Sequence, residues 1–267
     1  MSNDVKQRIK EECPIFNYEK PVFPDNCIFN ISPSQIDKFF SYPSVWYREN
    51  ILGEGQSFQG NTASVTGTIA HHIYKCVTQK IPGLTREDIN MQLIKYAEIT
   101  QNPDLDINQI MIDYPLVASE VVNNYIIPQD AKGMQVRCED LIIAEVLKGI
   151  YVGGSCDRLE GDTVVDYKNV GKLPNQDVIP FNYKIQLLAY AYIYRKKGFE
   201  VNNIKLVYGV KPTKTIPARC ICVNEPIDYV ADKLINDTLQ LIAESVLMVK
   251  ENPRLAYLIF KSMDFKE

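Results

Sequence analysis

The sequence predicts an α/β fold, with a central mixed sheet flanked by helices behind a mostly helical N-terminal region. Two observations predict it. Apolar residues recur with helical spacing over 65–79, 85–99 and 107–126, and from residue 138 the pattern changes to that of strands. Strand-like runs at 141–146, 149–158 and 163–168 lead into a long helical stretch at 180–197, two more strands at 204–210 and 218–223, and a final amphipathic helix at 227–250. A boundary near 135 separates a helical region (1–135) from a sheet-bearing core (136–267), and the two are expected to pack as one unit.

Each element has a local reason. Residues 1–30 carry Pro14, Pro21 and Pro24 without a clear period and read as an irregular arm. Ser32-Pro33-Ser34-Gln35 reads as a helix start: Ser32 can cap, Pro33 suits the first helical position and Gln35 can reach back. The helix then carries Ile36, Phe39 and Phe40 to Pro43, within an aromatic run that includes Tyr42, Trp46 and Tyr47. Those aromatics either pack the helix against the core or stack nucleic-acid bases, and both readings are open. Residues 53–63 are rich in glycine and polar side chains and read as a mobile loop. Thr85 is the expected cap of the helix over 85–99.

The chain has 267 residues, 46% hydrophobic and 23% charged, which excludes a disordered or collagen-like protein and allows a sizeable core. It contains no apolar run long enough to span a membrane, and its N-terminus does not read as a secretory leader. Seven scattered cysteines suit a reducing, cytoplasmic compartment better than a disulfide framework. The net charge of −4 is unevenly spread: residues 148–219 hold twelve Lys/Arg against six Asp/Glu, and the remainder holds 17 against 27. That basic stretch is either a polyanion-binding face or an ordinary solvated surface.

Gly161-Asp162 between two strand-like runs signals a two-residue hairpin. With Glu160 and Thr163 flanking the turn, Leu159 faces Val164, Arg158 faces Val165 and Asp157 faces Asp166. Two opposed carboxylates repel unless something neutralises them, and a divalent cation is the simple answer. Lys168, two residues after Asp166, shares its face. The competing reading is an ordinary Asp166–Lys168 salt bridge at a solvated strand end. Gln186 and Tyr190, four apart on the following helix, share a face that can look back at the carboxylates, with Lys184 nearby. His71 and His72 are the only histidines; adjacent helical positions diverge by about 100°, so at most one of them faces a given site.

Gly67-Thr68-x-x-His71, Gly154-x-x-Asp157, Val164-Val165-Asp166-Tyr167-Lys168 and Gln186-x-x-x-Tyr190, in this order and spacing, resemble the PD-(D/E)XK nuclease superfamily. Within it they are most similar to the RecB-like branch, which includes the RecB nuclease domain, CRISPR-associated RecB-like exonucleases and the mitochondrial genome-maintenance exonuclease. The resemblance spans about residues 32–210. It implies a restriction-endonuclease-like core and phosphodiester hydrolysis with Mg²⁺ or Mn²⁺. It also implies that His71, Asp157, Asp166 and the Tyr167 carbonyl are metal ligands. Lys168 would position or activate the attacking water, and Gln186 and Tyr190 would support the site and contact the DNA backbone. Glu145 is implied as an outer carboxylate. Some relatives carry a four-cysteine iron–sulfur site; Tyr42 stands where its first cysteine would fall, and Cys220-Ile221-Cys222 lacks the Cys-x-x-Cys spacing, so no cluster is expected.

The functional expectation is a DNA exonuclease preferring single-stranded ends, in recombination, repair or replication, with Lys172, Lys184, Tyr190 and Lys211 touching DNA. A recombination or replication protein is a candidate partner. The alternatives are a structure-specific endonuclease of the same superfamily, or a non-catalytic recruitment subunit. Retention of Asp157, Asp166 and Lys168 argues against the last.

Overall fold

The computed structural model describes residues 3–17, 19–54, 60–256, 258 and 260. The N-terminal region is helical: α1 (Asn3–Glu12), α2 (Ile36–Ser41), α3 (Pro43–Asn50), α4 (Thr62–Gln79), α5 (Arg86–Thr100), α6 (Ile107–Val121) and α7 (Ile127–Asp130). The short strand β1 (Phe29–Ile31) lies between α1 and α2. The core follows as β2 (Val136–Leu147), β3 (Ile150–Glu160), β4 (Thr163–Val170), α8 (Phe181–Lys196), β5 (Asn203–Val210), β6 (Arg219–Pro226) and α9 (Tyr229–Glu251).

Local chemistry explains most boundaries. Asn61 and Ser64 form a reciprocal capping box at α4, and Thr85 and Asp88 do the same at α5, where Thr85 is the expected cap. Pro115 lies inside α6 and cannot donate to the Met111 carbonyl; Arg86 supplies a donor to that oxygen at 3.2 Å. A π-helical turn, Val122–Ile126, continues α6 into α7. Three expectations change. The supposed irregular arm contains α1, a 3₁₀ turn at Pro14–Phe16 and β1. Ser32 makes no side-chain cap; Pro33–Gln35 forms a 3₁₀ turn before α2 begins. Helix α4 begins at Thr62, inside the expected 53–63 loop, and residues 55–59 of that loop lie outside the described residues.

The six strands form one mixed sheet in the order β1-β3-β4-β5-β6, with β2 also paired to β3. The hairpin register is the one expected: Glu160 pairs with Thr163, Leu159 with Val164 and Arg158 with Val165. Strand β2 runs along one edge of β3, so parallel β1 at Ile150–Val152 and antiparallel β4 at Arg158–Glu160 share the other edge. Between them β3 has no ladder partner on that edge among the described residues, and this opening is where the site forms. Helices α8 and α9 cover one sheet face with the largest apolar cluster, and α4 and α6 cover the other around Tyr74, Val165, Tyr167 and Val207. A third cluster joins α1, α4, α5 and α6.

The aromatic run divides by exposure. Trp46 and Tyr47 are buried and stack on Phe260, with Phe39 edge-on to Trp46, whereas Phe40 and Tyr42 are exposed. Trp46 and Tyr47 are therefore core residues and not available to bases. Trp46→Ala should lower unfolding stability by about 3–5 kcal/mol in a urea titration; a loss below about 1 kcal/mol would contradict this packing role.

Candidate active site

Asp157 lies where β3 and β4 part. The ladder ends at Arg158–Val165, one step before the expected Asp157–Asp166 pair, and the Asp157 carboxylate accepts the Tyr167 backbone N–H at 2.8 Å instead. The two aspartates are thus not directly opposed. Each has its own cation: His71 Nδ1 lies 3.5 Å from Asp157, and Lys168 Nζ lies 2.7 Å from Asp166. From α8, Gln186 donates to Asp166 Oδ1 at 3.3 Å. Gly154 makes room for Tyr190, since a Cβ there would stand 2.9 Å from the tyrosine hydroxyl.

His71 reaches the opening from α4. Its Nε2 lies 3.0 Å from the Tyr167 carbonyl, and since a carbonyl only accepts, Nε2 carries the proton. That leaves Nδ1 facing Asp157. The third member of the group is Glu139, which sequence reasoning missed. Cys138 pairs with Arg158 and Asp140 with Cys156, so Glu139 stands across from Asp157, but its φ of 52° takes it out of the ladder. Lys80 and Gln101 share this left-handed backbone only as the C-caps of α4 and α5, whereas Glu139 adopts it within a strand, where it costs energy and breaks the ladder. Ligand atoms of His71, Glu139 and Asp157 all lie within 4.8 Å of one another, and among the described residues no other group of three or more His, Cys, Asp or Glu converges this way. Ser155 donates to Glu139 at 3.0 Å.

The electrostatics show an excess of buried negative charge. Burial, then the neighbouring Asp157, raises Glu139 to about 7. Burial raises Asp166 to about 6, against the pull of Lys168. Burial disfavours charge on His71, but Asp157 outweighs it and raises the imidazole to about 9. Burial would likewise raise Asp157, but His71 wins and lowers it. For Lys168, Asp166 overcomes burial and raises the ammonium. One imidazole nitrogen with two carboxylates, short of positive charge, is a donor set that fits a divalent cation. Binding it requires His71 and Glu139 to release protons, so apparent affinity should rise with pH from about 6 to about 9. Titration calorimetry with Mn²⁺ at pH 7, in two buffers of different ionisation enthalpy, should give different heats. Identical heats would refute the coupling.

Several expected placements are corrected. Asp166 is not among the converging ligand atoms; it borders the group and faces Lys168 and Gln186. Glu145 is exposed and remote, and accepts the Gly149 N–H in the β2–β3 turn. Tyr190 is buried and cannot touch a DNA backbone. Lys184 is paired with Glu225 at 2.6 Å and Lys211 with buried Asp113 at 2.7 Å, so neither is a free phosphate contact. Lys172 is exposed on the loop after β4. Of the twelve basic residues in 148–219, Arg158, Lys168, Lys184, Arg195, Lys205 and Lys211 form internal ion pairs, so half of that stretch is consumed within the fold. The cysteines are dispersed, with Cys220 and Cys222 on β6.

Comparison with known proteins agrees with this architecture. The family model for the PD-(D/E)XK nuclease superfamily matches residues 30–251. No curated protein matches the sequence. Among solved structures, a protein from Eubacterium rectale described as "putative exonuclease" aligns with a TM-score of 0.53 at 17% identity, covering 83% of this chain and 81% of its own. An alkaline exonuclease from Laribacter hongkongensis aligns at 13% identity and TM-score 0.37, covering 73% and 98%. A phage-related exonuclease from Haemophilus somnus aligns at 11% identity and TM-score 0.34, covering 81% and 96%. At these identities likeness speaks to fold and to nothing finer, and only the first is close enough to support that.

Proposed function

This chain belongs to the PD-(D/E)XK nuclease superfamily, and we propose that it is a metal-dependent DNA exonuclease preferring single-stranded ends, in recombination, repair or replication. The observation that carries the reading is the convergence of His71, Glu139 and Asp157 at the β3–β4 opening, beside the Asp166–Lys168 pair. His71, Glu139 and Asp157, with the adjacent Tyr167 carbonyl, would hold Mg²⁺ or Mn²⁺. The bound cation would supply Lewis acidity toward the phosphoryl group and a water of lowered pKa.

The chain's own groups do the rest. Lys168 carries a fixed positive charge to where negative charge builds on the phosphate during displacement. Asp166 holds the lysine and keeps it protonated despite burial. Gln186 holds Asp166, and Tyr190, bonded to Gln186 in turn, sets the amide. His71 is fixed by its Nε2–H bond to the Tyr167 carbonyl, so its Nδ1 faces the carboxylates without reorganisation.

Exonuclease rather than endonuclease action is supported by a cavity of about 370 Å³ that His71 and Glu139 share with Pro14, Ile15, Asn17 and Glu19. A site walled by the N-terminal segment favours a strand presented by its end. Linear single-stranded DNA with Mg²⁺ or Mn²⁺ should be degraded at least about tenfold faster than the closed circle of the same sequence. Efficient cutting of the circle would favour the structure-specific endonuclease instead. No described helix is long and apolar enough to cross a membrane.

A further inference from the structure

We infer that the cavity beside the His71–Glu139–Asp157 group is the seat of the strand's terminal nucleotide, with the phosphate next to the scissile one held at Lys75. The inference rests on the nuclease reading above and names what that site accepts. The cavity's 370 Å³ falls at the small end of the ~300–1,000 Å³ range of small-molecule sites, room for about one nucleotide and not two. Its lining suits a nucleotide: Ile15, Leu84 and Leu141 offer apolar wall, and Gln92 and Ser155 offer hydrogen-bonding groups. Glu139 belongs to the metal-type group, and Glu19 is the exposed carboxylate at the rim.

Lys75 is the informative residue. It is four positions after His71 on α4, so the two side chains stack one turn apart, ~5–6 Å between Cβ atoms. That step is close to the spacing of successive phosphates along a nucleic-acid strand. A phosphate at His71 therefore places its neighbour at Lys75. Lys75 is also half-buried and has no ion pair among the described residues, unlike Lys168, Lys184, Lys205 and Lys211. Glu139 and Glu19 line the same cavity and Lys75 acts on the Glu139 carboxyl, but a divalent cation held by Glu139 would take up that charge and leave the half-buried ammonium to an incoming phosphate. Two consequences follow from the size and the charge. The released product is a mononucleotide, and the preferred end is the one that carries a phosphate.

Calorimetry in Ca²⁺ with thymidine 5′-monophosphate, thymidine 3′-monophosphate and thymidine as probes tests this. One of the two monophosphates should bind wild-type protein at least about tenfold more tightly than thymidine, which also assigns the end that enters. Lys75→Met should remove that advantage, and Leu141→Trp, at an exposed wall position, should weaken all three probes. With Mn²⁺ and linear DNA, wild type should release mononucleotides, and Lys75→Met should still cut but lose its preference for the phosphorylated end. Equal monophosphate binding by wild type and Lys75→Met, or products longer than one nucleotide, would overturn the inference while leaving nuclease action standing. Tight, Lys75-dependent monophosphate binding by a protein that cuts no DNA would instead defeat the nuclease reading and retain the pocket.

Discussion

Asp166→Asn and Lys168→Ala should each reduce phosphodiester cleavage by on the order of 10²–10³, with the fold retained. The two residues act as a unit. Lys168 keeps its charge because Asp166, 2.7 Å away, outweighs the penalty of burial. Removing Asp166's charge lowers the lysine's proton affinity and weakens the acceptor of the Gln186 amide. Removing Lys168 leaves the carboxylate but takes away the charge that meets the phosphate. Stability separates this role from a structural salt bridge. Burial raises Asp166 in the fold to about 6, above the ordinary carboxylate range. A raised folded-state value means that this group's contribution is fully present below its unfolded value and is lost as pH rises through about 6. At pH 8 in metal-free buffer, Asp166→Asn should therefore melt no lower than wild type. A clear drop in melting temperature there, with activity kept, would mean that the pair merely holds the strand.

Glu139→Gln and His71→Ala should each weaken Mn²⁺ binding at least about tenfold, whereas Glu145→Gln should leave it unchanged. The contrast follows from placement. Glu139 converges with His71 and Asp157 within 4.8 Å, and its carboxyl is crowded by Asp157. Glu145 is spent on the β2–β3 turn through the Gly149 N–H. Calorimetry on folded, metal-free protein measures both. Equal loss in Glu145→Gln, or none in Glu139→Gln, would remove Glu139 from the metal-type group.

Much of the architecture was legible because its signals are local. The Gly161-Asp162 turn set the hairpin register, helical periodicity located α4, α5 and α6, and Thr85 marked a cap that forms as expected. Strand β1 was not legible, because three residues joining a distant sheet edge leave no period to read. Helix α1 escaped notice because the prolines downstream at 14, 21 and 24 dominate the reading of that segment.

By itself the sequence determined the sheet-and-helix order, the family motifs and the candidates His71, Asp157, Asp166, Lys168 and Gln186, because residue type and spacing along one element suffice for those. Tertiary structure alone decided which charges face one another. Strand β4 parts from β3 one step before the expected aspartate pair, so Asp157 goes to His71 and Asp166 to Lys168. A left-handed backbone at Glu139 brings in a carboxylate that no alternating pattern would select, because strand alternation assumes the extended φ that this residue abandons. The same holds for the basic stretch. Charge counting could not know that Lys184, Lys205 and Lys211 would be taken up by Glu225, Glu160 and Asp113, since those partners come from elements 41, 45 and 98 positions away.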